Sequence, residues 1–281
     1  MTYPPNIQRL IESIIEIALE EDGEDKTSTA LFSASDVLEA RLIAKSEGLI
    51  AGLDIASKVF HKVDPSITFE PSVQDGFPVK DGQVLANVGG AARGILKAER
   101  VALNFLQRMS GIATATREYV DKVDGTGAII LDTRKTVPGH RVLDRMAVRI
   151  GGGKNHRMGL YDMALIKDNH IDNIGSITGA VSRLRRVYPD LPIEVEARSL
   201  SDVEELVRLG VDRIMLDNFT LNDIRSAVAM VAGKIPIEAS GNITLDNVRE
   251  VALCGVDYIS VGAITHSVRV LDISMLVEVG T

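Results

Sequence analysis

Residues 193–217 read IEVEARSLSDVEELVRLGVDRIMLD, and this stretch contains the unit that builds the C-terminal half of the chain. Two short apolar runs, 193–197 and 213–217, enclose a segment with helical periodicity. Ser199 stands where a helix N-cap is favoured, and Gly210 stands where a helix ends. Strand, capped helix, glycine and strand in succession predict a βα unit with parallel strands.

The same pattern repeats toward the C-terminus. Apolar runs begin at residues 193, 213, 235 and 257, which are 20, 22 and 22 residues apart, and helix-patterned segments separate them. Near-constant spacing favours a closed barrel over an open doubly wound sheet. The predicted fold class is therefore α/β, with a C-terminal parallel α/β barrel of the TIM type. Three earlier apolar runs are predicted as further strands: 128–131, 147–150 and 163–166.

The N-terminal part has a different pattern. A helix is predicted near residues 6–21, and residues 37–48 alternate like a half-exposed strand. The stretch VKDGQVLANVGG (79–90) is similar to the hairpins of β-sandwich domains. A long helix is predicted from Ala98 to about Val123. These features indicate a smaller α+β domain of the sandwich type.

The chain is long enough for two domains, since 281 residues exceed the usual length of one. We predict an N-terminal α+β domain at residues 1–110 and a catalytic barrel at residues 111–281. The last helix of the barrel domain is expected to pack back on the N-terminal domain.

Charge is distributed unevenly along the chain. The formal net charge is -8, but residues 131–170 hold eight Lys or Arg against four Asp. An acidic protein is a poor partner for nucleic acid or an anionic membrane, because both need a basic face. A basic block within an acidic chain instead indicates a pocket for a small anion.

Two features bear on location. The single cysteine, Cys254, cannot form an intrachain disulfide, and it is predicted to be a core residue rather than a reactive thiol. No apolar run reaches the ~18 residues of a membrane span, and the N-terminus has no basic leader. We therefore expect a cytoplasmic protein.

Cationic residues follow the predicted strands at their C-terminal ends, which form the catalytic face of such barrels. If they converge, they could bind a ligand with several negative charges, because arginine holds a carboxylate by two hydrogen bonds. The alternative is that they form salt bridges with Asp132, Asp162 and Asp168. The residues concerned are Arg134, Lys135, His156, Arg157 and Lys167.

Two carboxylates end neighbouring strands. Glu196 and Asp217 lie one βα unit apart, so they are expected at a similar height on adjacent strands. Such a pair can bind ribose hydroxyls, or a Mg²⁺ ion that also contacts diphosphate. Charge balance within the barrel is the alternative. Glu194 points to the same face as Glu196 and could be the structural partner of a lysine.

Small residues follow the last two strands, in ASGN (239–242) and SVGAITH (260–266). They let backbone N–H groups approach a phosphate, and the last two strand ends of a barrel are a common phosphate site. Each loop alone could be an ordinary turn. Together they predict a phosphate site.

Six long motifs follow one another in the chain: ERVALNFLQRMSGIAT, DTRKTVPG, GGGKNHRMGLYDMALIKDNH, VEARSL followed by LDNF, EASGNIT and ISVGAITHS. With these motifs the chain resembles the quinolinate phosphoribosyltransferases over nearly its whole length. The resemblance implies an enzyme that makes nicotinate mononucleotide, diphosphate and CO₂ from quinolinate and phosphoribosyl diphosphate, with Mg²⁺, in NAD biosynthesis.

The resemblance assigns roles to residues. Arg134, His156, Arg157 and Lys167 should hold the quinolinate carboxylates, with Thr133 in the same turn, and Lys135 should reach the diphosphate. The catalytic residues would be Lys135, Lys167, Glu196 and Asp217, and the last two would face ribose and Mg²⁺. The 5′-phosphate would be bound by Ser240, Gly241, Asn242, Val261, Gly262, Ala263 and His266.

The resemblance also implies a homodimer, or a higher oligomer of it, with shared active sites. Arg100 is similar to the family's arginine that enters the site of the neighbouring subunit, so the N-terminal domain would contribute to both dimer and substrate site. Two departures stand away from these residues: GEDKTS replaces a GD-x-TS pattern, and His140 replaces the usual leucine after DTRKTxPG.

Three other functions remain open from the sequence. Relatives associated with molybdate transport share the fold, a Schiff-base aldolase could use Lys135 or Lys167, and a sensor could bind anions without catalysis. The intact DTRK, NHR and KDNH segments favour the biosynthetic enzyme.

Overall fold

The structure is a computed structural model that describes residues 3–278 and confirms the predicted α/β class. The chain forms two compact units. One comprises the described residues up to Arg117, the segment Thr136–Gly152 and the residues from Ser267 onward. The other comprises Glu118–Lys135 and Gly153–His266. Each unit is therefore assembled from more than one stretch of sequence, whereas we had predicted a single boundary near residue 110.

The first half of the chain contributes mainly to the first unit. Its elements are α1 (Pro5–Asp22), α2 (Lys26–Leu31), β1 (Val37–Ala44), β2 (Gly48–Leu49), α3 (Leu53–Val63), β3 (Thr68–Pro71), β4 (Pro78–Val79), β5 (Val84–Ala91) and α4 (Ala92–Lys122). The remaining elements are β6 (Ile129–Leu131), α5 (Arg141–Ile150), β7 (Ala164–Ile166), α6 (Asp168–Ile174), α7 (Ile177–Val187), β8 (Ile193–Ala197), α8 (Leu200–Leu209), β9 (Arg213–Asp217), α9 (Leu221–Val231), β10 (Ile237–Ser240), α10 (Val248–Ala252), β11 (Tyr258–Ser260), α11 (Ala263–His266) and β12 (Ile273–Val277).

The first unit contains a four-stranded antiparallel sheet in the order β12-β1-β5-β3. Leu42, Leu85 and Phe60 are fully buried, so one face of the sheet packs on α3 and the neighbouring helices. The predicted last helix is wrong, because the C-terminal residues form strand β12. This strand pairs with β1, with Ala44 opposite Ile273, and it removes an exposed edge of β1.

The second unit contains six parallel strands in the order β6-β11-β10-β9-β8-β7, which fits the predicted C-terminal barrel. A parallel bridge between Leu131 and Lys154 extends the sheet beyond β6. Because all six strands run the same way, their C-terminal ends lie at one edge. The strands are short and nearly continuous in apolar residues, as expected for a sheet covered on both faces.

Helix caps explain most of the predicted boundaries. Ser199 Oγ accepts the N–H of Asp202, and α8 ends at Gly210 in the left-handed conformation. Helix α10 begins after Asn247. There the side chain of Asn247 accepts the N–H of Thr244 and forms a turn before the helix.

Residues 147–150, predicted as a strand, form instead the last turns of α5. Val142, Leu143, Ala147 and Val148 are all buried, and this spacing of apolar residues belongs to one face of a helix. The four-residue window was too short to distinguish the two patterns.

Cys254 is buried, as predicted, and burial raises the pKa of its thiol. Within residues 3–278, no helix is long and apolar enough to cross a membrane.

Candidate active site

A cavity of about 890 Å³ opens at the C-terminal ends of the parallel strands, entirely within the barrel unit. Its walls come from the ends of successive strands and the loops that follow them. The lining residues are Thr133, Arg134, Lys135, His156, Arg157, Leu165, Lys167, Glu196, Met215, Asp217, Asn218, Glu238, Ser240, Gly241, Asn242, Ile243, Thr244, Ser260, Gly262, Ala263 and His266.

Most of the residues predicted for the site line this cavity. Two do not. Arg100 is exposed on α4, in the other unit. Val261 is buried, and its N–H donates to the carbonyl of Leu131, so this N–H is already used in the sheet.

The turn after β6 carries three cavity residues. The N–H of Lys135 donates to Thr133 Oγ1 (3.1 Å), which folds the turn back on itself. Thr265 Oγ1 donates to the carbonyl of Lys135 (2.9 Å) and ties the turn to the last loop of the barrel. Arg134 and Lys135 are exposed, so their charged ends are available to a ligand.

The loop with His156 and Arg157 is held by Asp132, whose side chain is fully buried. Asp132 accepts hydrogen bonds from Asn155 Nδ2 (2.6 Å) and from the N–H of His156 (2.8 Å). Arg157 is also buried, and one of its guanidinium nitrogens donates to the carbonyl of Met163 (3.0 Å). The sequence left open whether Asp132 pairs with the cations, and these two hydrogen bonds show that it holds the loop in place.

The positive charges at the cavity lie close enough together to lower the pKa of one of the arginines. Burial lowers the pKa of Arg157, and the nearby charge of Arg134 lowers it further. Two arginines that repel each other are stabilised when an anion binds between them. The wall is therefore suited to a ligand with more than one negative charge.

At the C-terminal ends of neighbouring strands, Glu196 of β8 and Asp217 of β9 form the predicted carboxylate pair. Burial raises the pKa of Glu196, and the charge of Asp217 raises it further. Lys167 Nζ lies 3.9 Å from Glu196 Oε2 and partly offsets this repulsion. Two carboxylates that repel each other in this way would bind a cation favourably.

Asn218, which was not predicted from the sequence, connects this pair to the first glycine loop, residues 240–242 after β10. Its Nδ2 donates to Asp217 Oδ2 (2.8 Å), and its Oδ1 accepts from Asn242 Nδ2 (3.0 Å). Asn218 has a positive φ of 56°, a conformation that asparagine tolerates better than most residues. Such a residue after a strand could have been noticed in the LDNF motif.

The second glycine loop, which follows β11 and contains Gly262 and Ala263, is also closely packed. A β-carbon on Gly262 would lie 3.0 Å from His266 Cδ2 and 3.2 Å from Lys135 Cδ. A side chain at position 262 would displace Lys135 and His266 by a few tenths of an ångström, so glycine favours the close approach of the predicted phosphate loop to Lys135.

A cluster of polar side chains around His156 inside the barrel, called the His156 cluster below, was also not predicted from the sequence. His156 Nε2 lies 3.0 Å from Glu194 Oε2 and 3.4 Å from Glu238 Oε2, and Arg213 contacts Glu238 at 3.1 Å. The partners of Glu194 are therefore a histidine and an arginine, where a lysine had been suggested. Nothing local in the sequence brings together residues from four separate segments.

Two groups of side chains near the cavity could be considered as a site for Mg²⁺. His156, Glu194 and Glu238 converge, but Arg213 already pairs with Glu238, and imidazole is a poor ligand for this ion. Glu196 and Asp217 offer only oxygen donors beside an open cavity, where phosphate oxygens could complete the coordination. The carboxylate pair fits the ion, and the buried group does not.

Fold and site together define the class: an α/β barrel protein whose cation-lined cavity, carboxylate pair and glycine loops suit phosphorylated polyanions. Two family models narrow this class. The C-terminal domain of quinolinate phosphoribosyl transferase matches residues 112–276, and its N-terminal domain matches residues 25–110. The chain belongs to the quinolinate phosphoribosyltransferase family.

Individual relatives agree with the family models. The chain is 44% identical over 290 residues to the chloroplastic nicotinate-nucleotide pyrophosphorylase [carboxylating] of Oryza sativa, covering 95% of this chain and 78% of the relative. It is 44% identical to the enzyme of the same name from Mycobacterium leprae, covering 92% and 94%. The crystal structure of NadC from Streptococcus pyogenes superposes with a TM-score of 0.93 at 39% identity, covering 98% of each chain.

Proposed function

We propose that this protein converts quinolinate and phosphoribosyl diphosphate to nicotinate mononucleotide, diphosphate and CO₂ in NAD biosynthesis. The observation that supports the proposal is that one cavity of about 890 Å³ is lined by the cation cluster, the carboxylate pair and the two glycine loops. The names of relatives at 41–44% identity support the same reaction.

Quinolinate would bind on the cationic wall. Arg134 and Arg157 would each hold a carboxylate by paired hydrogen bonds, and His156 and Lys167 would complete the charge balance. Each charge-assisted hydrogen bond contributes about 1.5–3 kcal/mol. A monocarboxylate would use fewer of these bonds, so the wall favours the dicarboxylate over nicotinate.

Phosphoribosyl diphosphate would lie across the cavity from the glycine loops to Lys135. Backbone N–H groups of the Ser240–Asn242 and Gly262–Ala263 loops, with His266, would hold the 5′-phosphate, and Lys135 would hold the diphosphate. Glu196 and Asp217 would face the ribose. They would also hold Mg²⁺ together with diphosphate oxygens, and the bound ion would neutralise charge on the leaving group.

In the reaction, the bond between the anomeric carbon and diphosphate breaks and the pyridine nitrogen attacks that carbon. Lys135 would bind the departing diphosphate, and the carboxylates of Glu196 and Asp217 would stabilise positive charge on ribose. The pyridinium product is an electron sink. The bond to the carboxylate next to nitrogen then breaks, CO₂ leaves, the electron pair stays on the ring carbon, and a proton replaces the carboxylate.

The resemblance adds a homodimer in which Arg100 completes the partner's site. Exposure of Arg100 on α4 supports this. The test mixes Arg100→Ala with Glu196→Gln, both of low activity alone. If Arg100 acts in the neighbouring subunit, heterodimers contain one intact site, and activity returns to about a quarter of wild type. No recovery between dimers that exchange subunits would contradict the shared site.

We also infer a cytoplasmic location, supported by the acidic composition and the lone buried cysteine. Some relatives are named chloroplastic or mitochondrial, so fractionation of the source cells is the measurement that decides.

The experiment for the reaction is product analysis by mass spectrometry. Purified protein is mixed with quinolinate, phosphoribosyl diphosphate and Mg²⁺, and a parallel sample receives nicotinate instead. We expect nicotinate mononucleotide from quinolinate only. A folded protein that makes none would contradict the proposal and direct attention to the relatives linked to molybdate transport.

A further inference from the structure

The His156 cluster inside the barrel has an unusual charge balance. Glu194 on β8 and Glu238 on β10 are both fully buried, and both approach His156 Nε2, at 3.0 Å and 3.4 Å. Arg213 on β9 lies between them, 3.1 Å from Glu238 Oε2 and 4.0 Å from Glu194 Oε1. Two buried anions thus share one permanent cation. Burial raises the pKa of Glu194, so the cluster becomes neutral either through a proton on Glu194 or through a second cation, and the imidazole is the group in position to supply that cation.

Glu238 is the better satisfied of the two carboxylates. Its Oε1 accepts a short hydrogen bond from Ser260 Oγ, and its Oε2 faces both cations. The oxygens of Glu194 contact His156 at 3.0 Å and Arg213 at 4.0 Å. Glu194 therefore depends on a charged His156 more than Glu238 does.

The imidazole of His156 experiences two opposing influences. Its Nδ1 lies 2.7 Å from the backbone nitrogen of Arg157, whose N–H it accepts when the ring is neutral. Burial also disfavours the charged ring. Hydrogen bonds with Glu194 and Glu238 and their negative charges outweigh the effect of burial and raise the pKa of His156 to about 9.

We propose that Glu194 and Glu238 are positioning residues that keep His156 protonated, so that the cavity offers quinolinate a fixed cation that an ordinary histidine would lose near neutral pH. This proposal rests on the proposed function, since it specifies how that site holds its charge. His156 lines the cavity, and its charge adds to that of Arg134, Arg157 and Lys167. The two glutamates act through the histidine and not by contact with the reacting atoms.

The direct test is an NMR titration of the histidine rings in the full-length protein, with the His156 signal assigned by its loss in His156→Asn. In wild type the signal should stay in its charged form through neutral pH, with a midpoint near 9. In Glu238→Gln and in Glu194→Gln the midpoint should fall by about one unit or more, since each removes a charge within 4 Å. Glu204→Gln, on the exposed face of α8, is the matched control and should leave the midpoint unchanged.

A wild-type midpoint near the ordinary value of ~6.5 would overturn the proposal. So would a midpoint that neither glutamine variant moves. The wild-type titration alone is decisive if both variants fail to fold.

Calorimetric binding of quinolinate separates this proposal from the proposed function. At pH ~8.5, Glu238→Gln should bind quinolinate at least about threefold more weakly than wild type, because a midpoint one unit lower reduces the charged fraction of His156 about threefold at this pH. At pH ~6 the ring is charged in both proteins, so the two affinities should agree. An equal loss at both pH values would indicate a merely structural role and overturn the proposal. A wild-type protein that binds no quinolinate would instead refute the proposed function, and the NMR result would still stand.

Discussion

Gly241 lies so close to Asn218 that a β-carbon on Gly241 would stand 2.2 Å from Asn218 Oδ1. Gly241 also has a φ of +95°, which residues with side chains rarely adopt. The contact fixes the glycine loop against the residue that hydrogen-bonds Asp217. The proposed phosphate and ribose sites are thus parts of one rigid arrangement.

Gly241→Ala should therefore lower kcat/KM for phosphoribosyl diphosphate at least about tenfold, with a strain of about 1–3 kcal/mol in the loop. Steady-state kinetics and thermal unfolding measure the two effects. Gly233→Ala is the control, because Gly233 also has positive φ (+70°) but nothing within 4 Å of the added carbon. The control should lose about 1–2 kcal/mol of stability and keep its kinetics. Equal kinetics in both variants would argue against a role for this close contact.

Arg134→Ala should weaken quinolinate binding more than it slows decarboxylation. Losing charge-assisted hydrogen bonds worth about 1.5–3 kcal/mol reduces affinity about 10- to 150-fold. Release of the carboxylate next to nitrogen should be affected less, because that step breaks its salt bridge in any case. Single-turnover CO₂ release at saturating quinolinate gives the chemical step, and Arg225→Ala on the exposed face of α9 is the control. A chemical rate that falls far more than the affinity would be inconsistent with a binding role.

The acid limb of the pH profile should report Glu196. Burial and the charge of Asp217 raise the pKa of Glu196, so it takes up a proton at a higher pH than an exposed glutamate does. Because the ionised form is the useful one, kcat/KM for phosphoribosyl diphosphate should fall as pH drops through this raised pKa, above the ordinary ~4.3. The residual activity of Glu196→Gln should lack this limb. A wild-type profile that stays flat down to pH ~4 would show that Glu196 is not required in its ionised form.

Within the first unit, the ion pair of Arg108 and Asp144 should be asymmetric in its effect on stability. Asp144 is fully buried and accepts two hydrogen bonds from Arg108, at 2.9 Å and 2.8 Å, while Arg108 is partly exposed. Arg108→Met leaves a buried charge with its main partner removed and should cost about 3–5 kcal/mol. Asp144→Asn should cost less, because Arg108 can reach water. Urea unfolding compares the two, and the reverse order would contradict this account of the pair.

The barrel and the edge on which the site lies could be predicted from the amino-acid sequence. The spacing of apolar runs and the capping residues of α8 act locally, so each βα unit is specified by its own residues. Once the strands are parallel, the residues that end them, such as Lys167, Glu196 and Asp217, must meet at one edge. Most residues of the cavity could therefore be predicted from their positions at strand ends, without measured distances.

The contacts that those residues make could not be predicted from the sequence, because they depend on the tertiary structure. Glu194, Arg213 and Glu238 are separated in sequence and become neighbours of His156 because β8, β9 and β10 pair side by side. The contact between Asn218 and Gly241 depends in the same way on the register of β9 with β10. The apolar pattern of β12 is too short to distinguish a helix from a strand. The segment forms a strand because it pairs with the edge of β1. Local pattern specifies elements, whereas pairing across the sheet specifies the charge state and packing of the site, because both depend on residues distant in sequence.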